Sequence, residues 1–379
     1  MNTNDLQIEL QNHFEWLHRH PELSGEEVTT TAYIRENLGN IGIEVQDTGM
    51  KTGLVAILRG RTGGKTVALR ADIDALPIEE KTELVYKSEN SGFMHACGHD
   101  FHMSALLGAA RLLKEKQNEF AGNVKLVFQP AEEITGGALS VLESGALNDV
   151  TEIFGMHVMP EKDNGNIEIS TGATFAAAIA FSIKILGRGG HAAMPQNCVD
   201  PISAAAQLID SAQCIVSRKS HPQDCVVLSF SHIEAGKTWN VIPDSAFLEG
   251  TIRTLGNIKG QKIALVLNDV CHGIEITNGV KIKFQWHIDT PSTHNDPALC
   301  QFAKSVAADM GFKVVPFKPT MAGDDFAVYQ QKIRGVFMGF GIKSPHGLHN
   351  PKFCADTSCL AKAAELMSEL ALRSLAVEK

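Results

Sequence analysis

The 379-residue chain predicts an α/β fold, a mixed-sheet main domain interrupted by an inserted α+β domain. Three observations predict it. Apolar strand-like runs alternate with helical segments, and polar residues of metal-ligating type follow the strands' carboxyl ends. Near residue 175 the pattern changes to β-α-β-β-α-β and keeps that order to residue 288. The length also exceeds what one hydrophobic core usually serves. The expected division is a main domain of residues 1–175 and 289–379, with residues 176–288 inserted into it.

Each element has its own signal. Leu6, Leu10, Phe14 and Leu17 recur at helical spacing, and Pro21 blocks continuation. Ser24 followed by Glu27 is a capping-box pattern that opens a second helix through Leu38. Gly53 to Arg59 and Thr66 to Arg70 read as strands joined by a turn at Arg61–Gly64. At the second strand's end stand Asp72 and Asp74, two carboxylates that share one side of an extended backbone. Cys97-Gly98-His99 precedes the apolar run Met103, Ala105, Leu106, Leu107, Ala109, Ala110, Leu112 and Leu113, so a loop there opens a buried helix. Val124–Phe128 is a buried strand ending at Glu132-Glu133, and Ile153–Met156 leads to His157. The insert reads as strand 176–185, helix 200–217, strands 226–234 and 245–253, helix 259–271 and strand 280–287. That order is a split βαβ, ferredoxin-like layout. The chain returns with helix 297–310, strand 335–339 and a final helix 357–377.

Composition narrows the function. Hydrophobic residues make up 44% of the chain and charged residues 20%, as in ordinary globular proteins. Net charge is −9 without any Lys/Arg-rich block, which argues against a nucleic-acid partner. No apolar run reaches membrane-spanning length, and Met1 to Gln11 lacks a signal-peptide core. Eight scattered cysteines form no disulfide framework, so a cytoplasmic protein with reduced thiols is expected.

Cys97 and His99 alone read more readily as a buried structural thiol beside a capping His and Asp, since two ligands do not make a site. They gain meaning from Glu133, His157 and His349, which stand in other loops of the same sheet edge. Five potential ligands plus Glu132 exceed one tetrahedral ion and suit two ions sharing a bridging group. Within Glu132-Glu133, one carboxylate can bind metal while its neighbour holds a water as general base.

Seven ordered stretches carry a family resemblance: RADIDALP (70–77), MHACGHDFH (94–102), FQPAEE with GGA (128–138), GMHVMP (155–160), GRGGHAAMP with DPI (187–202), WNVIPD (239–244) and EGTIRT (249–254). Together they resemble the aminoacylase, hippurate hydrolase and indole-acetyl-amino-acid hydrolase branch of the metal-dependent amidohydrolases. The resemblance spans nearly the whole chain. It implies that Cys97, His99, Glu133, His157 and His349 bind two divalent ions, with Zn²⁺, Mn²⁺, Co²⁺ or Ni²⁺ matching the donors by softness. It further implies that Glu132 is the general base, that Asp74 orients a ligand, and that His191 of the insert stabilises the developing oxyanion. Asn240 and Arg253 are expected on the substrate's carboxylate.

Departures occur late in the chain. Gly323-Asp324-Asp325-Phe326 replaces the family's usual Gly-Glu-Asp-Phe, and His346 competes with His349 as the last ligand. His349 is preferred because Pro351 and Phe353 keep the family spacing. The resemblance implies a catalytic main domain, a lid and dimerisation role for the insert, and a homodimer. The expected reaction cleaves acetyl- or benzoyl-type N-acyl amino acids to a carboxylic acid and a free amino acid. Alternatives are a dipeptidase, an N-acetyl-diaminopimelate deacetylase, or a non-catalytic amino-acid or peptide binder.

Overall fold

The computed structural model describes residues 3–256 and 260–376. Met1, and the expected helix ends Lys259 and Val377, lie outside the described residues. The chain forms two compact units. One comprises the chain up to Gly172, His294–Lys318 and the part from Asp325 onward; the other comprises Ala173–Thr293 and Pro319–Asp324.

The first unit is built on an eight-stranded mixed sheet. Its strands, in chain order, are β1 (Glu44–Val45), β2 (Leu54–Arg59), β3 (Arg61–Asp72), β4 (Ala121–Gln129), β5 (Val150–Met159), β6 (Asn166–Glu168), then β13 (Lys313–Val315) and β14 (Arg334–Gly341) after the second unit. Their spatial order is β1-β2-β4-β3-β5-β14-β6-β13. The four central strands, β4, β3, β5 and β14, run parallel, with Asp72 beside Gln129 and Arg70 beside Gly155. From β3 the chain goes to β4 on one side and then to β5 on the other. The order therefore reverses around β3, and a crevice belongs beyond that strand's carboxyl end.

Helices α1 (Thr3–Arg19), α2 (Val28–Asn40), α3 (His99–Glu115), α6 (Pro297–Asp309) and α7 (Leu360–Ala376) flank this sheet. Leu6, Leu10, Phe14 and Leu17 of α1 are buried, as their spacing predicts. In α3 the burial runs without a break from His99 to Ala110, so this helix is enclosed on all sides. Two local expectations change. The turn expected at Arg61–Gly64 is an irregularity inside β3, where the register shifts between Arg61 and Thr66. The capping box does not form either. Glu22 caps α2 by accepting from the Thr29 and Thr30 N–H groups at 3.0 and 2.8 Å, leaving Ser24 and Glu27 for other partners.

The second unit follows the order β7 (Ala177–Leu186), β8 (Gly190–His191), α4 (Pro201–Cys214), β9 (Cys225–Ala235), β10 (Val241–Ile242), β11 (Ser245–Leu255), α5 (Gly260–Asn278) and β12 (Lys281–Thr290). β9-β11-β7-β12 form an antiparallel sheet, the split βαβ layout that the sequence predicts. Its core includes Ile183, Ile185, Leu208, Leu248 and Leu267. β8 and β10 form a separate two-stranded arm. Among the described residues no helix is long and apolar enough to cross a membrane.

Candidate metal centre

The ends of the parallel strands and the loops after them gather the predicted donors. Gly98 adopts φ +81°, and a Cβ there would lie 2.5 Å from Val158 Cγ2. Only glycine fits both the turn and the close approach, so Cys97 and His99 can face one point. His99 is the first residue of α3. Glu132 and Glu133 follow Pro130 and Ala131, the latter in the left-handed region at φ +51°. His157 was expected past its strand but stands inside β5. His349, at φ +60°, is pinned by its N–H donating to the Ala96 carbonyl at 2.8 Å, which brings it beside Cys97.

Ligand-type atoms of Cys97, His99 and His157 all lie within 4.8 Å of one another, as do those of Cys97, Glu133 and His349, and those of His99, Glu132 and Glu133. The Cys97 Sγ to His157 Nε2 distance is 3.5 Å. His349 Nε2 stands 3.5 Å from Glu133 Oε1, and His99 Nε2 stands 4.0 Å from that same oxygen. Of the two late histidines His349 joins these groups and His346 belongs to none of them. The fit to metal rests on unsatisfied atoms: His99 Nε2 and Glu133 Oε1 are buried without a hydrogen-bond partner. Such atoms are costly to leave unpaired. A thiolate, imidazoles and a carboxylate are donors suited to divalent transition ions.

The surrounding residues orient these donors. His99 Nδ1 donates to the Asp74 carbonyl at 2.8 Å, which turns Nε2 toward the cluster. The Asp74 carboxylate accepts from Ser24 Oγ at 2.6 Å and from the Glu133 N–H at 2.9 Å. His157 Nδ1 donates to the Val158 carbonyl at 2.8 Å. The Val158 N–H donates to His102 Nε2 at 3.0 Å, so the His102 proton sits on Nδ1, 2.6 Å from Asp72 Oδ1. Fully buried Arg70 then reaches Asp72 at 2.6 Å, Gln129 Oε1 at 2.8 Å and Asp325 at 3.0 Å. Arg70, His102, Ser24 and Asp325 were given no role at the site from sequence. The one local clue was the i, i+3 spacing of His99 and His102 on a single helix face.

Electrostatics follow from this crowding. Burial, then Glu133, push the Cys97 thiol well above its ordinary value. Burial opposes charge on His99, but Asp72 and Asp74 outweigh it and raise its pKa well above normal. Asp72 is held well below the usual range: burial acts against this, and His99, Arg70 and His102 overcome it. Burial pushes His102 down to about 4, consistent with the neutral ring its hydrogen bonds require.

In the second unit His191 is exposed on the β8–β10 arm, paired with Val241, and its Nδ1 accepts from the Ala193 N–H. Asn240 lies on the same arm, its carbonyl accepting from the Ala192 N–H at 3.1 Å. The structure thus brings His191 and Asn240 together. Arg253 sits instead on β11, opposite Ala178 and Val227. It is half-buried, its side chain has no hydrogen bond or ion pair among the described residues, and burial lowers its pKa.

An α/β sheet with thiol, imidazole and carboxylate donors gathered past its parallel strands has the architecture of a metal-dependent hydrolase. The chain belongs to peptidase family M20/M25/M40, whose model matches residues 68–373. It is 43% identical to N-acetylcysteine deacetylase of Bacillus subtilis over 94% of both chains. It is 36% identical to hippurate hydrolase of Campylobacter jejuni over 98% of both. Its fold matches the crystal structure of a dinuclear metal binding M20 peptidase of Bacillus subtilis with a TM-score of 0.88, at 39% identity, covering 99% of this chain and 100% of that one. The motif resemblance is borne out, and the protein is a metal-dependent amide hydrolase.

Proposed function

We propose that this enzyme hydrolyses N-acyl amino acids of the acetyl or benzoyl type, releasing a carboxylic acid and a free amino acid. The observation that carries this is the donor cluster in which His99 Nε2 and Glu133 Oε1 are buried without a hydrogen-bond partner, with Glu132 beside them. Cys97, His99, Glu133, His157 and His349 would hold two divalent ions, Zn²⁺, Mn²⁺, Co²⁺ or Ni²⁺. When bound, the ions supply Lewis acidity for a water and for the amide carbonyl. Glu132 takes the water's proton and returns it to the departing amine. Asp74 holds the His99 tautomer. His191 donates to the carbonyl oxygen as charge develops. Unpaired Arg253, with Asn240, grips the substrate carboxylate. The main domain, residues 1–175 and 289–379, is catalytic, and residues 176–288 form the lid.

The protein works in the cytoplasm, consistent with eight free cysteines, and as a homodimer through the lid. Exposed Leu265, Ile276 and Trp286 on that unit support self-association. Glu132→Ala should keep its metals and lose about 10²–10⁴-fold in turnover. Metal loss in that variant would exchange the roles of Glu132 and Glu133. A panel of N-acetyl-, N-benzoyl- and dipeptide substrates tests the reaction, and a dipeptide-only profile overturns the substrate class. Mixing Glu132→Ala with His191→Ala subunits should restore part of the activity if His191 serves the partner's site. Sedimentation as a monomer would remove the dimer.

A further inference from the structure

Glu132 is held from both sides by buried carboxylates. On its C-terminal side the Glu133 N–H donates to Asp74 Oδ2 at 2.9 Å. On its N-terminal side the Ala131 N–H donates to Glu27 Oε1 at 2.8 Å. Glu27 is fully buried and far away in sequence, and the same oxygen accepts the Gly25 N–H at 2.9 Å. Its second oxygen, Oε2, makes no hydrogen bond of good geometry, although the Thr52 hydroxyl stands near enough to the carboxylate to favour its charge. The peptide it holds is strained, because Ala131 is a non-glycine residue at φ +51°. That strain persists only if its surroundings over-determine it. The Ala131 carbonyl accepts from the Gly136 and Gly137 N–H groups, both at 3.2 Å, and Glu27 supplies the bond on the N–H side. The same short loop sends Ser24 to Asp74, so residues 24–27 brace both clamps.

We infer that Glu27 is a positioning residue for the general base: by accepting the Ala131 N–H it holds the left-handed turn that aims Glu132. This rests on the proposed role of Glu132. What the position needs is a hydrogen-bond acceptor at the right reach, not a charge. Burial raises the Glu27 carboxyl pKa, so its surroundings already disfavour the anion.

Two conservative variants separate reach from charge. Glu27→Gln keeps the reach and loses the charge. Glu27→Asp keeps the charge but withdraws the oxygen by about 1.5 Å, one carbon–carbon bond. Each is assayed as the metal-loaded full chain for kcat and KM on an N-acyl amino acid, for bound metal by elemental analysis, and for amide exchange across residues 131–137. Glu27→Gln should stay within about threefold of the parent kcat. Glu27→Asp should lose roughly 10–100-fold in kcat, with KM within twofold, metal content unchanged and faster exchange in that loop. The inference is overturned if Glu27→Asp matches the parent in kcat and exchange, if Glu27→Gln is the more impaired of the two, or if the kcat loss tracks metal loss. A Glu132→Ala variant run alongside separates the two claims. Full turnover there sinks the base assignment, while loop exchange still reports whether Glu27 holds Ala131.

Discussion

Replacing His102 with Ala tests how far the metal centre depends on residues that would not touch metal. Two buried bonds vanish together: Nδ1–H to Asp72 at 2.6 Å and the Val158 N–H to Nε2 at 3.0 Å. Each leaves an unsatisfied buried group, worth about 1–3 kcal/mol, so stability should fall by roughly 2–6 kcal/mol. The second effect is on binding. His157 Nδ1 donates to the carbonyl of that same Val158, so freeing the Val158 backbone frees the His157 ring. Loss of an orienting partner of this kind costs about 10–100-fold in metal affinity. Chelator-competition titration measures the affinity, and denaturant unfolding of the metal-free protein measures the stability. If stability drops while affinity stays within twofold of the parent, the chain from Asp72 through His102 and Val158 to His157 plays no part in holding the ion.

Other consequences follow from the same cluster. Arg70→Met leaves Asp72 and Asp325 buried without their shared cation and should cost about 3–5 kcal/mol in denaturant unfolding, partly recovered by adding Asp325→Asn; a loss under 1 kcal/mol would contradict the network. His18 is buried between Asp100 at 2.6 Å and Glu80 at 3.3 Å, which overcome burial and raise its pKa from 6.5 to about 9. A raised folded-state value stabilises fully below pH 6.5, so about 3 kcal/mol should be lost as pH climbs from 6.5 through about 9, and His18→Gln should flatten that slope. Metal must displace the proton from the Cys97 thiol, whose pKa is raised, so affinity should increase by up to about tenfold per pH unit for that proton; Cys97→Ser should bind more weakly with a shallower slope, and an unchanged slope would mark Cys97 as unliganded.

Periodicity and spacing were enough to make the α/β class and the split βαβ order of the insert legible, and they marked donor-type side chains at the strand ends, whereas the choice of His349 over His346 leaned on the family resemblance. Periodicity and spacing are local properties: Leu6, Leu10, Phe14 and Leu17 define a buried helix face whatever lies across from it. The Cys97-Gly98-His99 turn likewise needs only its own glycine. The reading went astray where a local pattern met a stronger distant partner. Ser24 and Glu27 spell a capping box, yet Asp74 and the Ala131 peptide claim them, and Glu22 caps the helix instead. Asp325 bonds Arg70 from 255 residues away, a pairing that no spacing rule can announce. His349 rather than His346 lies by Cys97 because a backbone bond to Ala96 places it there. The sequence by itself determined which side chains can ligate and which segments carry them. Tertiary structure decided which nitrogen of each imidazole faces the cluster and which carboxylates stay charged. Those depend on hydrogen bonds and desolvation from residues that meet only after the sheet has closed around them.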